Sequence, residues 1–215
     1  MRNLNTQRKA FTMLELVFVI VVLGILAAMA LPRMDRDLRQ EAADNILSAI
    51  RYTQHLALND NKTNPTLPNW QRALWMIRFS SDGDHYTIGS DTDRLGNINK
   101  TEAAIDPING KYIYNNSVTP QNDESPNIFL NKKYGITNIA ITAGRGNPAG
   151  TATSTLHIAF DNFGRPFRGI GGASNNYDRY VNQDCTITFT AANAFPGDPI
   201  IINIAQETGY TYIVD

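Results

Sequence analysis

Several groups of residues in this sequence have the types and spacing that chemistry uses. The run DTDRLGNINKTE sets Asp91, Asp93, Gly96, Ile98, Asn99 and Glu102 at the intervals of a twelve-residue calcium loop, where oxygens surround a hard cation. Leu95 stands where an oxygen ligand belongs, and HYTIGS before it reads as strand rather than helix, so a polar loop is expected. Asp82, Asp84 and His85 could gather around a metal, but SDGDH is first a turn. A catalytic thiol at Cys185 would need an imidazole beside it, and the spacing of His55, His85 and His157 suggests no dyad. As the single cysteine, Cys185 makes no intrachain disulfide, and CTITFTA reads as a strand carrying a small apolar residue. GRGNPAG and GIGG lack the strand–turn–helix setting of a phosphate cradle. The expectation is no catalytic residue, no cofactor and no resident metal.

The remaining candidate is Glu15, inside FTMLELVFVIVVLGILAAMAL, residues 11–31. Twenty-one residues span roughly 31 Å as a helix, about one hydrocarbon thickness. A charge at the centre of such a segment costs about 2.5–3.5 kcal/mol on insertion scales. Residues 16–31 contain no charge, and Arg8 and Lys9 precede the run, so the amino terminus is expected in the cytoplasm and the remainder outside. Ala28-Met29-Ala30 offers an ordinary secretory cleavage site that would release a product starting at Leu31. Glu15 at the head of the apolar core and Pro32 just after the cut sit awkwardly with that fate.

The segment resembles the class III signal of the type IV pilin and pseudopilin superfamily. There a basic leader ends in a small residue, followed by Phe, Thr, a Glu at the fifth mature position and an apolar helix. The matching residues are Lys9-Ala10, Phe11, Thr12 and Glu15, with Gly24 and Pro32 at mature positions where many members also carry Gly and Pro. Ala10 replaces the usual glycine and is its nearest substitute in size. The resemblance implies cleavage between Ala10 and Phe11 by a prepilin peptidase, then methylation of the new amine. Glu15, one turn along, would face the Phe11 amine of a neighbouring subunit and set axial register, because removing one partner strands the other's charge. The plainer alternative is a carboxylate snorkelling to the headgroups. Gly24 and Ala28 form a small-xxx-small pair that lets helices approach closely, and Pro32 would free the Ala28 carbonyl and kink or melt the helix.

These residues need a scaffold of 215 residues, 42% hydrophobic and 18% charged, with net charge −1. Arg2, Arg8 and Lys9 fall in the first ten positions, and the body from Phe11 onward is net −4, so DNA is not the expected partner. Beyond Pro32, Leu38, Ala42, Ile46, Ile50 and Thr53 recur at helical spacing, with Ala43, Leu47 and Ala57 beside them, ending near Asn59-Asp60-Asn61. Thereafter ALWMIRF, HYTIG, KYIYN, GITNIAIT, STLHIAF, CTITFTA, IIINIAQ and YTYIV read as strands of antiparallel sheets with one buried face. Alternation with Leu156, Ile158 and Phe160 puts His157 on the solvent side. Glu207-Thr208-Gly209 reads as a hairpin connection.

The expected fold is α+β: a long N-terminal helix, membrane-spanning in its first half and amphipathic in its second, packed on an antiparallel β-sandwich-like head. Residues 1–10 form the leader, 11–32 the transmembrane assembly helix, 33–61 the amphipathic helix and 62–215 a periplasmic head. LHIAFDNFGRPF and IIINIAQETGYTYIV resemble the H-type (GspH/FimT-like) minor pseudopilins, through Gly164-Arg165 in a turn and Thr208-Gly209 between late strands. That resemblance implies a non-enzymatic, single-pass inner-membrane subunit of a type II secretion or type IV pilus filament. Its partners would be other pilin subunits, prepilin peptidase, the inner-membrane assembly platform and the lipid bilayer. The alternative is a pilus-tip module that binds DNA or a surface ligand. The tail GYTYIVD has no Lys or Arg, so the DNA binding of some relatives does not carry over.

Overall fold

The computed structural model describes residues 12–117, 119–143, 156–173, 177, 179–195 and 197–214, without the side chains of residues 28–37 and 143. The chain divides into two units, Met1–Asp37 and Leu38–Asp215. Helix α1 runs Met13–Asn59, with Pro32 inside its span. Among the described residues no helix is long and apolar enough to cross a membrane. The apolar run of residues 11–31 extends past the described side chains, which stop at Ala27.

Within the second unit, the apolar stripe of α1 is the helix's inner face. Ala42, Ala43, Ile46, Ile50 and Thr53 are fully buried, at the spacing that stacks residues on one helical side. The Thr53 hydroxyl donates to the Ala49 carbonyl at 2.9 Å, so its burial strands no donor. The helix stops at Asn59, and Asp60 then accepts the Trp75 indole N–H at 2.9 Å, which fastens the helix end to the first strand.

Eight strands follow: β1 Trp75–Phe79, β2 Tyr86–Ser90, β3 Asn138–Ala143, β4 His157–Phe160, β5 Pro166–Phe167, β6 Cys185–Thr190, β7 Ile200–Ile204 and β8 Thr211–Val214. A short helix α2, Leu130–Tyr134, precedes β3. The strands make two antiparallel sheets, ordered β2-β1-β4-β5 and β3-β6-β7-β8. One core joins Ile46 and Ile50 of α1 to Ile77, Ile158 and Phe160 of the first sheet and Ile187, Phe189 and Ile202 of the second. Phe79 and Phe189 meet edge-on across the two sheets with centroids 5.2 Å apart. The fold is α+β.

Two expectations about the strands need correction. β3, β6 and β7 alternate as expected, but β2 and β4 are buried at every position. The cause is a second layer on the outer face of the first sheet, where Trp70, Leu74, Ile98 and Ile170 pack on Met76, Ala159 and Phe167. Irregular chain supplies that layer, so nothing periodic announces it. KYIYN forms no strand, because Tyr112 makes only isolated bridges while Ile113 shares backbone bonds with Ile88 and Ala104. The hairpin at Glu207-Thr208-Gly209 joins β7 to β8 as expected.

Candidate functional site

On the outer face of the first sheet, β2, β1 and β4 align Thr87, Arg78 and His157 in one cross-strand row. His157 is on the face predicted for it but is buried, not in solvent, because the second layer closes over β4. Its Nε2 accepts the Ile170 amide at 3.2 Å. Burial, with the Arg78 and Arg168 guanidinium groups nearby, pulls its pKa down to about 3. The ring is therefore neutral near pH 7, and Nδ1 carries the proton. Beside the row opens a cavity of about 380 Å³ whose lining includes Arg72, Arg78, Asp91 and His157.

The wall above this cavity is the acidic loop. Asp91, Asp93 and Glu102 each offer an oxygen within 4.8 Å of the others. These oxygens are already in use. Glu102 accepts the Thr92 and Asn99 amides at 2.8 and 2.9 Å, and Asp91 accepts the Leu95 and Gly96 amides at 3.2 and 2.8 Å. Glu102 thus acts as the anchor of a capping box over the short turn Lys100–Glu102, and its carboxyl is held below the ordinary range despite burial. The carboxylates close the loop on itself.

Other sequence candidates are dispersed into structural duties. Asp82 accepts from the Ser80 hydroxyl and the Asp84 amide at 2.5 and 3.2 Å, as a turn requires. His85 lies 3.5 Å from the Asp84 carboxylate and 3.0 Å from the Asn115 carbonyl. Cys185 is fully buried in β6, and burial pushes its thiol up to about 11, which leaves no thiolate near pH 7.

At the amino-terminal end, Ala10 and Phe11 lie outside the described residues. Thr12 caps α1: its hydroxyl accepts the Glu15 amide at 3.3 Å, and its carbonyl accepts the Leu16 amide at 3.1 Å. T-x-x-E is the capping-box spacing, a signal present in the sequence but overlooked there in favour of the charge. The Glu15 side chain is exposed, as are Met13, Leu14, Val17, Phe18 and the apolar residues after them. A Cβ at Gly24 would meet nothing within 4 Å, so its face is open in the single chain. Ala28 and Pro32 lie in α1, but their side chains are outside the described set.

Residues 5–31 match the family model described as the prokaryotic N-terminal methylation motif. The chain carries the type IV pilin signal. No curated protein and no solved structure matches it. The pilin signal supports membership of the pilin and pseudopilin superfamily, processing by a peptidase and assembly with other pilin subunits. It covers only the start of the chain, and the capping geometry gives it a defined helical origin at Thr12.

Sequence reading missed two functional groups in the head. Gln54, on α1, donates to the carbonyls of Gly164, Thr208 and Gly209 at 2.9, 3.2 and 3.3 Å. No periodicity reveals so distant a partner. Arg78 had a visible signal, a lone charge inside the apolar strand WMIRF.

Proposed function

We propose that this chain is a structural, non-enzymatic subunit of a bacterial type II secretion or type IV pilus filament, a minor pseudopilin of H type. Prepilin peptidase cuts between Ala10 and Phe11, and the Phe11 amine is methylated. Residues 11–32 anchor the chain once across the inner membrane, amino terminus in the cytoplasm and β-rich head in the periplasm. The assembly platform then draws the helix into a filament, where Glu15 takes up the Phe11 amine of a neighbour. Gly24 and Ala28 provide the close-packing stripe.

The observation that carries this reading is the methylation-motif match over residues 5–31 with Glu15 at the fifth position after the cut. Support for the H type comes from the head, where the turn holding Gly164 meets the β7–β8 connection at Gly209. Mass spectrometry of the native amino terminus tests the proposal. Methylated Phe11 is expected; an intact Met1 or a terminus at Leu31 overturns it.

A second reading, a ligand-binding head at a filament tip, is favoured by the arginine-lined cavity beside His157. DNA is not its natural occupant, because the body is net −4 and the segment after Gly209 has no cation.

A further inference from the structure

The cavity beside β1 and β4 has the chemistry of a binding site, and that chemistry selects its ligand. Arg72 reaches it from the turn Trp70–Ala73, and Arg78 from the middle of the outer face. Both guanidinium groups are tethered only by weak bonds to main-chain carbonyls. Arg72 donates to Arg94 and Ala173 at 3.5 and 3.4 Å, and Arg78 donates to Gly96 at 3.3 Å. Among the described residues neither makes an ion pair, and Nε of Arg72 is buried with no hydrogen-bond partner. For Arg78, Asp91 offsets burial only by through-space attraction; a part-buried guanidinium without a hydrogen-bonded carboxylate is costly, and the planar fork is shaped to receive one.

The remaining lining completes the description. Asp91 is the one acid in the wall, and its oxygens are engaged by the Leu95 and Gly96 amides. Two cations against one acid leave room for a single negative charge, which fits a carboxylate better than a phosphate dianion. His157 adds a neutral donor, since Nε2 is occupied by the Ile170 amide. Ser81 stands at the rim, and Met76, Leu156 and Ile170 give an apolar floor. At about 380 Å³ the space is at the small end of ligand sites, suited to one six-membered ring with its substituents.

The geometry points to a binding site for a small hydroxylated carboxylic acid, of the size and class of a hexuronic acid, whose acid group is taken by Arg72 and Arg78. The ring's apolar side lies on the floor, and hydroxyls meet Ser81 and His157. The site is independent of filament assembly and stands whether or not the amino-terminal segment is processed.

The test is calorimetric titration of the full-length chain in detergent with sodium glucuronate, and with glucose as the uncharged counterpart. Saturable glucuronate binding is expected, with glucose at least about tenfold weaker, because only the acid can engage the guanidinium pair. Arg72→Gln and Arg78→Gln should each weaken glucuronate by about tenfold or more while retaining the wild-type melting temperature. Should Arg78→Gln fail to fold, Arg72→Gln together with the His157 imidazole proton resonance decides. That resonance should move on adding glucuronate and much less with glucose at the same concentration. No saturation by 50 mM glucuronate (roughly the weak limit for a one-ring ligand), equal binding of glucose, or unchanged affinity in Arg72→Gln would each overturn the assignment.

Discussion

The carboxamide nitrogen of Gln54 lies 2.9 Å from the carbonyl oxygen of Gly164, 110 positions along the chain. The same nitrogen reaches the carbonyls of Thr208 and Gly209. One side chain of α1 therefore gathers the β4–β5 turn and the β7–β8 connection into a corner. Gln54→Leu keeps the bulk and removes the donor. It should lower the stability of the full chain by about 1–3 kcal/mol, the range for stranding part-buried acceptors, as read from denaturant melts.

Gly209 fills the tightest point of that corner. Its φ is +65°, and an added Cβ would fall deep inside the Gly164 carbonyl oxygen and crowd the Gln54 amide. Gly209→Ala should cost about 3 kcal/mol, overpacking added to left-handed strain. Gly197 has φ +78° but open space around its Cβ position, so Gly197→Ala should cost only about 1 kcal/mol, from strain alone. Equal melting temperatures for the two variants would refute the crowding argument.

His157 makes the head acid-sensitive. Its folded pKa is depressed from 6.5 to about 3, so below pH 6.5 the unfolded chain binds a proton that the folded chain refuses. Stability should fall with decreasing pH between about 6 and 4 by at most about 1.4 kcal/mol per unit. His157→Gln should flatten this slope. The depressed carboxyls of Asp82, Glu102 and Asp106 act in the same direction but only as pH falls through their own, lower range, below about 4. A melting profile between pH 4 and 7 that is identical in the variant would contradict the burial of a neutral imidazole.

Glu15→Val keeps every apolar contact of the signal helix and removes its acid. Membrane association should be unchanged, while incorporation into sheared filaments should disappear. Normal incorporation would show that the carboxylate serves only the headgroups.

Cys185 should not react with a soluble thiol reagent in the native chain and should react at once after unfolding. Its burial and its thiol pKa near 11 both oppose thiolate formation. Fast native labelling would mean that β6 opens, since Ile187 and Phe189 on the same strand are equally buried.

What could be read from the chain was whatever repeats. Ala42, Ile46, Ile50 and Thr53 announced the buried side of α1, and CTITFTA and IIINIAQ announced strands with one covered face. His157 was misplaced because alternation says which side of a sheet a residue occupies, not what lies over that side. The cover comes from the acidic loop and the turns at Trp70 and Ile170, whose sequence has no period. Gln54 was invisible for a related reason: a polar residue on a helix is ordinarily solvated, and its three acceptors are 110 to 155 positions away. In the cavity, Arg78 was legible as an anomaly, whereas its pairing with Arg72 needed the folded geometry.

The Arg51 guanidinium donates to the Thr211 carbonyl at 2.8 Å, so β8 is tied to α1 across 160 positions. Such a closure sits at the slow, non-local extreme of folding order. Until β8 emerges from synthesis, β7 lacks its outer neighbour and Arg51 lacks its acceptor. A nonsense codon just before β8 would thus yield an aggregation-prone client for chaperones and proteases, rather than a nearly intact subunit.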